Sequence, residues 1–375
     1  MKIPIKKGFL GNQRRITMMM DLSSTCDILC KQCFRTVLIP KSAKVSIDQI
    51  GILEREVFPY IDRLALSCTG EPLTLRNFKE GLKAAKRAEV PFIRIQSNGT
   101  HLSEEMSEFL IDEGLTHLGI SLDGATKETF ETVRNGAHWD EVIGNIRTFT
   151  RLRRERQSSS PSLCLNFTLM KENAEEAVSF IPFAVGLGAD SVSFSHLILE
   201  SWEMKEWSLL YDAPRMNALL ADLREEAKKY NIPSHIPADV PDNIIPFDGQ
   251  LIEDVPTHSG PCSAAEEDWM FMLPNGDIFA CGNLQDQGPL GNVFQTPLKE
   301  IWLGARNQNF RRNALNGCVE GCDHCKIFAS SADPSHEMSY LARRLTSRAA
   351  AEMDFESVHR RREPSSSAQT APAHS

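Results

Sequence analysis

Short apolar and β-branched runs alternate with segments of helical periodicity over the first 230 residues. The runs predict six strands, at residues 16–20, 61–66, 92–96, 117–122, 163–169 and 191–198. Between the strands, apolar residues recur every three or four positions in five segments, at residues 46–57, 75–88, 103–112, 139–156 and 174–187. Strands joined by helical crossovers form a parallel sheet. The pattern therefore predicts an α/β fold, an open partial (β/α)6 TIM-like barrel whose chemistry gathers after the carboxyl ends of the strands.

The pattern changes after the sixth strand and divides the chain. The predicted core covers residues 16–230, ends with a helical segment at 212–230 and follows a basic N-terminal extension, residues 1–15. Residues 231–259 are rich in proline and acidic residues, which predicts a linker. We expect a small cysteine-rich domain at residues 260–330, and a C-terminal helix with a disordered tail at residues 331–375.

Composition narrows the class of protein. The chain has 41 Lys and Arg against 50 Asp and Glu, a formal net charge of −9, which argues against a broad nucleic-acid-binding surface. No apolar run is long enough for a signal peptide or a membrane span, so we expect a cytoplasmic protein without a membrane partner. Cysteines in that compartment stay reduced, and eight of the ten lie in two groups, at residues 26–33 and 262–325. Such groups are better interpreted as metal ligands than as disulfides.

The first group is a C-x3-C-x2-C array of Cys26, Cys30 and Cys33, directly after the first predicted strand. Structural zinc usually takes four ligands, whereas three thiolates on one loop can hold three corners of a 4Fe-4S cluster and leave the fourth iron open. An open iron beside a reducible cluster can chelate the amino and carboxylate groups of S-adenosylmethionine (SAM). A structural zinc knuckle or buried free thiols are the alternatives.

Together with the aromatic Phe34 after the third cysteine, this array resembles the signature of the radical SAM superfamily. The resemblance implies an enzyme that cleaves SAM reductively to a 5′-deoxyadenosyl radical, with electrons from a flavodoxin- or ferredoxin-type donor. The triplet Gly70-Glu71-Pro72 after the second strand resembles the family's GGEP motif, with Thr69 in place of the first glycine. Glu71 can accept a hydrogen bond from the methionyl ammonium, although Gly-Glu-Pro is also an ordinary turn before a helix.

Motifs after the third and fourth strands extend the resemblance. Ser97 and Asn98 match a segment that faces SAM in the family, although Asn-Gly is a turn pair in any protein. Ser121 to Asp123, with Arg134 eleven residues later, resembles the family's "SlDG…R" stretch, which implies that the guanidinium grips the SAM carboxylate. An arginine without this context is more often a surface salt-bridge partner. The predicted SAM contacts are Thr69, Gly70, Glu71, Ser97, Asn98, Ser121, Asp123, Arg134, Asn166 and Leu169.

The second group resembles the SPASM/Twitch domain, which follows many radical SAM cores and binds auxiliary iron–sulfur clusters. Its spacing alone fits either a cluster or structural zinc. Five cysteines replace the seven of a full SPASM domain, so we expect one auxiliary 4Fe-4S cluster. Cys318 is expected to be a buried thiol, and the alternative is that it displaces one of the four ligands. The predicted ligands are Cys262, Cys281, Cys322 and Cys325. Gly282 after Cys281 disfavours formylglycine formation, because sulfatase-maturing relatives have an aspartate there.

The predicted function is that of a radical SAM oxidoreductase that abstracts hydrogen from a C–H bond. We expect a small carbohydrate-like or natural-product substrate, with net oxidation through the auxiliary cluster. His196 and Glu200, after the sixth strand, are the candidates for substrate binding or proton removal, although a lone histidine there is more often structural. Radical modification of a peptide or protein is one alternative, and a non-enzymatic iron–sulfur or zinc protein is the other.

Overall fold

The computed structural model describes most of the predicted core and part of the cysteine-rich domain. The described residues are 16–33, 43–67, 70–197, 202–237, 239–240, 265, 268–281 and 288–315. The predicted N-terminal extension, C-terminal helix and tail lie outside them. In the described part of the chain, no helix is long and apolar enough to cross a membrane.

Ten strands in this part of the chain form one sheet in the order β10-β9-β8-β1-β2-β3-β4-β5-β6-β7. The strands are β1 (Ile16–Met20), β2 (Ile61–Ala65), β3 (Phe92–Ser97), β4 (His117–Ser121), β5 (Ser162–Leu169), β6 (Ser191–His196), β7 (Ser234–His235), β8 (Trp269–Met272), β9 (Asp277–Phe279) and β10 (Gly291–Asn292). Every pair from β8 through β1 to β7 is parallel, and only β8 with β9 and β9 with β10 are antiparallel. The α/β fold and all six predicted core strands are confirmed.

Helices connect the parallel strands as predicted. They are α1 (Ile47–Glu56), α2 (Phe78–Arg87), α3 (Glu104–Asp112), α4 (Lys127–Val133), α5 (Trp139–Glu155), α6 (Ala174–Gly186), α7 (Ala213–Lys229), α8 (Leu298–Leu303) and α9 (Ala305–Leu315). The helix α1 begins at a capping box, in which Gln49 N donates to Ser46 Oγ (3.2 Å) and Ser46 N donates to Gln49 Oε1 (2.8 Å). The sequence pattern did not predict α4, because seven residues are too few to show a helical period.

The two faces of the sheet differ in polarity. The face covered by helices is apolar, and the rings of Phe167, Phe180 and Phe194 pack there with centroids 4.9 to 5.9 Å apart. Along each strand, the buried residues of the helix-covered face alternate with residues of the opposite, concave face. The concave face includes the exposed Arg94 and Gln96 of β3. The concave face is therefore an open polar groove that runs from the amino to the carboxyl ends of the strands.

The cysteine-rich domain contributes strands to the same sheet. The strand β8 lies parallel to β1, with Thr17 opposite Trp269 and Met19 opposite Phe271. At the other edge, Ser234 and His235, at the start of the predicted linker, form β7 beside β6. Neither pairing is predictable from the local sequence pattern, because both join segments that lie far apart along the chain.

Candidate active site

The three thiols of the predicted cluster lie on the loop that follows β1, at the carboxyl ends of the parallel strands. This loop, which we call the cluster loop, comprises residues 21–33. Its backbone is fixed against the end of α4, because Leu29 N donates to Asn135 O (2.9 Å) and Lys31 N to Val133 O (2.9 Å). The loop is thus held by hydrogen bonds that do not depend on its cysteines.

A buried charge network joins the cluster loop to the loop after β4. Asp123 is fully buried with a φ of 57°, and its Oδ2 accepts from Gln32 Nε2 (2.7 Å) and pairs with Arg134 Nη2 (3.0 Å). Thr168 N donates to Asp123 Oδ1 (2.6 Å). Arg134 Nη1 in turn donates to Cys30 Sγ (3.5 Å). The carboxylate of Asp123 therefore orients the arginine that reaches the thiol.

The burial and the neighbouring charges of the three thiols are consistent with a metal centre. Burial, against the opposing charge of Arg134 and together with the neighbouring Cys33, Asp123 and Cys26, raises the pKa of Cys30 to about 12. The thiolate of Cys30 therefore needs added positive charge, which a cluster supplies. In the described part of the chain, no three His, Cys, Asp or Glu side chains converge on a point suited to one metal ion. A cluster does not need such convergence, because each of its thiolates binds a different iron.

Glu71 joins the loops after β2 and β3. Its side chain is 2% exposed, and it accepts hydrogen bonds from Ser97 Oγ (2.8 Å), Asn98 N (2.6 Å) and Leu73 N (3.0 Å). Burial raises the pKa of Glu71 to about 7, against the lowering effect of these donors. A carboxyl group has about four acceptor positions, so room remains for one cationic donor.

The loop after β3 also contacts the cluster loop. Asn98 Nδ2 donates to Asp27 Oδ1 (2.8 Å) and lies 3.8 Å from Cys26 Sγ. Thr100 Oγ1 donates to Asp27 Oδ2 (2.7 Å). Ser97 and Asn98 therefore lie between the buried carboxylate and the first predicted cluster ligand.

Gly70 permits the close approach of the β2 loop to the cluster loop. A Cβ at this position would lie 2.5 Å from Ser23 O and 2.7 Å from Thr25 O. Glu71 N donates to the same Thr25 carbonyl (2.8 Å). The absence of a side chain at position 70 is thus a packing requirement of the two loops.

Ser121 and Asn166 lie on the concave face, below the thiols. Gln96 Nε2 donates to Ser121 Oγ (2.6 Å), and Asn166 Nδ2 donates to Gln96 Oε1 (3.3 Å). A Cβ on Gly119 would collide with Gln96, so this glycine makes room for the polar row. The row forms a floor of amides and a hydroxyl under the predicted SAM site.

Two predicted residues lie on the other face of the sheet. Leu169 and His196 are register partners, and each follows a buried phenylalanine by two residues, so both lie on the helix-covered face. Leu169 is fully buried and His196 is 4% exposed. Thr168 and Ser195 occupy the concave face at this level. The proton-transfer role of His196 and the SAM contact of Leu169 stay predictions.

The remaining predicted residues are only partly described. Cys281 is buried and lies just after β9. Five predicted residues lie outside the described part of the chain: Thr69, Glu200, Cys262, Cys322 and Cys325. Arg311 supports the nearby hairpin, because its guanidinium pairs with Asp268 (3.0 Å) and stacks on Trp302 (4.0 Å).

Several residues of the site were not predicted from the sequence. Gln32, Asp27 and Gln96 are polar side chains without a motif, and only the fold brings them beside the cysteines and the other loops. Glu176 was also missed, although it accepts four hydrogen bonds at the start of α4. The one available signal was the position of Gln32 between two predicted ligands.

The fold and the site together define a class: an α/β enzyme with a three-thiol loop at the carboxyl ends of its strands, beside a buried arginine and a buried carboxyl group. Comparison with known families agrees. The family model for the radical SAM superfamily matches residues 20–184, and that for the iron-sulfur cluster-binding SPASM domain matches residues 262–326. The chain belongs to the radical SAM superfamily and carries a C-terminal SPASM domain. Its cofactors are accordingly SAM and 4Fe-4S clusters.

Three relatives span most of the chain. The tungsten-containing aldehyde ferredoxin oxidoreductase cofactor-modifying protein of Pyrococcus furiosus is 21% identical, over 82% of this chain and 86% of that protein. The PqqA peptide cyclase of Streptomyces rochei is 22% identical, over 86% of this chain and 89% of its own length. Streptococcus suis SuiB, solved with SAM and with its precursor peptide SuiA, gives TM-scores of 0.59 and 0.60 at 16% and 17% identity. Each alignment covers 86% of this chain and 74% of SuiB.

Proposed function

We propose that this protein cleaves SAM reductively and uses the resulting radical to abstract hydrogen from a peptide substrate. The observation that carries the proposal is the position of the cluster loop, between the Arg134 guanidinium on one side and the Glu71 loop on the other. When bound, the cluster supplies the electron that breaks a carbon–sulfur bond of SAM. The protein's own residues bind and orient that co-substrate.

Arg134 and Glu71 supply opposite charges for the two ends of the methionyl group. Among the described residues, Nε of the buried Arg134 has no hydrogen-bond partner, so the guanidinium keeps a donor for a carboxylate. Glu71 keeps an acceptor position for the ammonium group. Asp123 pairs with Arg134 and Ser97 donates to Glu71, while Ser121 and Asn166 form the polar row beneath them.

The relatives change the proposed substrate. Sequence analysis favoured a small carbohydrate-like molecule, but a named peptide cyclase aligns over most of this chain, and SuiB has been solved with a precursor peptide. The open concave face also suits an extended chain, because it continues from the cluster loop along the full length of the strands. We therefore propose a peptide, with a small molecule as the alternative outcome of a substrate screen.

The proposed reaction is a net oxidation, as expected of an oxidoreductase, with a flavodoxin- or ferredoxin-type protein as the electron donor. The auxiliary cluster of the SPASM domain would be held by Cys281 together with Cys262, Cys322 and Cys325. Product mass distinguishes the redox outcomes: a loss of two hydrogens indicates oxidation, whereas an unchanged mass indicates a redox-neutral reaction.

The central test is reductive SAM cleavage by anaerobically reconstituted protein. We expect about eight irons per chain, as two 4Fe-4S clusters require, and 5′-deoxyadenosine after addition of dithionite and SAM, measured by liquid chromatography and mass spectrometry. The triple variant Cys26→Ala, Cys30→Ala, Cys33→Ala should retain about four irons and form no 5′-deoxyadenosine.

A matched cysteine variant controls for loss of thiols in general. Cys318→Ala should keep the full iron content and the SAM cleavage of the native chain. Zinc in place of iron and sulfide in the anaerobically purified protein would contradict the proposal. So would SAM cleavage by the triple variant.

A further inference from the structure

Two arginines occupy the concave face at the end of the sheet remote from the thiols. Arg63 of β2 and Arg94 of β3 alternate with buried residues of the apolar core, so both lie on the concave face, and both are exposed. Arg63 stacks over the ring of Phe92, with 4.3 Å between its guanidinium carbon and the ring centroid. Within the described residues, no carboxylate pairs with either guanidinium.

A cavity lies against Arg94 on the same face. Its volume is about 350 Å³, and its polar wall includes Gln96, His117, Asn166, Ser193 and His235. This volume is at the lower end of the range for ligand pockets, about 300 to 1,000 Å³. The wall thus combines a fixed cation with amides, a hydroxyl and imidazoles, which can bind the oxygens of a polar ligand.

The positive charge of Arg94 at the cavity contrasts with the negative net charge of the whole chain. The protein has a formal net charge of −9, yet the cavity carries a cation without a counter-ion among the described residues. His117 lies opposite Arg94 in the sheet register, and burial and the Arg94 charge lower its pKa, while Asp190 opposes them. An anion in the cavity would relieve the unbalanced charge, and a guanidinium binds a carboxylate through two parallel hydrogen bonds.

The strand geometry gives the backbone distance between Arg94 and the end of β3 nearest the thiols. Arg94 and Ser97 lie three residues apart on β3, which corresponds to about 10 Å at a rise of about 3.3 Å per residue. An extended peptide lying along the groove rises by nearly the same amount per residue. A carboxylate at Arg94 would therefore belong to a group about three residues from the peptide position at the thiol end.

We propose that Arg94, with Arg63 beside it, binds a carboxylate of the peptide substrate, about three residues along the chain from the position that loses hydrogen. This inference rests on the proposed function and specifies the substrate of the same groove. The carboxylate is the peptide's C-terminus or an acidic side chain at that spacing.

The test compares two probes that differ only in this charge, N-acetyl-tetraalanine and its C-terminal amide. Both are titrated calorimetrically into the anaerobically reconstituted full-length protein with SAM and without reductant. We expect the free acid to bind at least about tenfold more tightly than the amide, as a charge-assisted bidentate contact implies. Arg94→Gln should reduce this preference to less than about twofold, and Arg94→Lys should keep part of it, because lysine retains the charge but not the paired donors.

Arg147→Gln is the matched control, because Arg147 is an exposed arginine on α5, outside the cavity. It should keep the full preference for the acid. Thermal unfolding of each variant checks that the protein is folded.

Three results would overturn the inference: equal affinity for acid and amide, a preference that persists in Arg94→Gln, or displacement of the acid by inorganic phosphate at the same affinity. Reductive SAM cleavage by the native protein is measured in parallel. Cleavage without a carboxylate preference would overturn this inference alone, whereas no cleavage would overturn the proposed function.

Discussion

At the scale of single residues, the site depends on positions where a side chain is absent or a charge is buried. Gly70 and Gly119 leave space that a Cβ would fill, the first for the cluster loop and the second for Gln96. Glu71 and Asp123 are buried carboxyl groups whose oxygens accept hydrogen bonds from neighbouring loops. A change of a few atoms at these positions therefore alters contacts between neighbouring loops or strands of the site.

Replacing Gly70 by alanine should weaken the cluster site. The added Cβ meets two backbone carbonyls that cannot move independently, so we expect a loss of about 1–3 kcal/mol in the free energy of unfolding. Iron retained by the SAM cluster should also fall, because the cluster loop is displaced. Chemical denaturation and iron analysis after reconstitution measure both effects.

Gly144→Ala is the control for this prediction. Gly144 lies within α5, and a Cβ there meets nothing within 4 Å. Alanine favours a helix interior over glycine by about 0.5–1 kcal/mol, so this variant should be slightly more stable and keep its iron. A Gly70→Ala variant as stable and as iron-rich as the native chain would contradict the packing argument.

SAM affinity should depend on pH through Glu71. Because burial raises the pKa of this group to about 7, the carboxylate that pairs with an ammonium forms only as the pH rises through that value. Affinity for SAM should fall about tenfold per pH unit below 7, and it should decline again above about pH 8, where the α-amino group of free SAM is no longer an ammonium. Titration calorimetry from pH 5.5 to 8.5, in two buffers of different ionisation enthalpy, should show proton release on binding near neutrality.

The raised pKa of Glu71 also makes the free energy of unfolding depend on pH, but in the opposite direction from SAM affinity: as the pH rises, SAM binds more tightly and the fold becomes less stable. A buried group with a raised pKa favours folding most below its unfolded value, and this contribution is lost as the pH rises through the folded value. Glu71→Gln should remove both dependences on pH, at the cost of weaker SAM binding. Affinity that is constant across this range in the native protein would exclude Glu71 as the ammonium acceptor.

At the scale of elements, the loops after β1 to β5 hold one another in place. The salt bridge between Lys31 and Glu172 joins the cluster loop to the loop after β5, and the Lys31 ammonium also lies 4.3 Å from the centre of the Trp207 ring. Glu176 of α6 accepts hydrogen bonds from Ala125 N (2.7 Å), Thr126 N (3.1 Å), Thr126 Oγ1 (2.6 Å) and Thr129 Oγ1 (2.6 Å). It thereby fixes the start of α4, the helix whose end supports the cluster loop.

Removing this carboxylate should destabilise the β4 loop. Glu176→Ala leaves four donors without their acceptor, and we expect a loss of about 1–3 kcal/mol in the free energy of unfolding and weaker SAM binding. Burial raises the pKa of Glu176, but the four donors lower it by more, so its contribution is present above the ordinary carboxyl pKa and is lost as the pH falls. Denaturant titrations at neutral and acidic pH measure this contribution.

The neighbouring Glu175 provides the comparison. Its side chain is largely exposed and makes one ion pair, with Arg215 at 3.2 Å. Glu175→Ala should therefore change the free energy of unfolding by less than about 0.5 kcal/mol. Equal effects of the two substitutions would show that the hydrogen bonds of Glu176 do not stabilise the loop.

At the scale of the whole molecule, the SPASM domain and the core share one sheet. The strand β1, which leads into the cluster loop, is an interior strand only because β8 lies beside it. Met18 and Met20 of β1 and Met272 of β8 are all fully buried. The domain therefore stabilises the strand that leads into the cluster loop.

Two truncations should separate these contributions. A chain that ends after residue 315 keeps β8 and should retain the fold and about four irons, because it lacks Cys322 and Cys325. A chain that ends after residue 240 loses β8 and exposes the edge of β1, so we expect aggregation or a clearly lower unfolding temperature. Circular dichroism melts and iron content measure both. A shorter chain as stable as the longer one would show that β8 does not support the core.

Local patterns in the sequence predicted much of this protein. The strand and helix periods gave the α/β order, and the C-x3-C-x2-C array with the Gly-Glu-Pro and Ser-Leu-Asp-Gly segments indicated the radical SAM superfamily, which is confirmed. These features can be recognised in the sequence because a helix period, a turn or the spacing of ligands on one loop depends on residues that are close along the chain.

Only the tertiary structure decided which distant groups meet. It paired β8 with β1, joined Gln32 to Asp123 and Arg134, placed His196 on the helix-covered face, and gathered Arg63, Arg94 and His117 at one end of the groove. Such contacts depend on sheet order and register, which are set by burial over the whole chain. Residues without a motif acquire their roles from those long-range contacts. For that reason, the roles of these residues cannot be predicted from their spacing in the sequence.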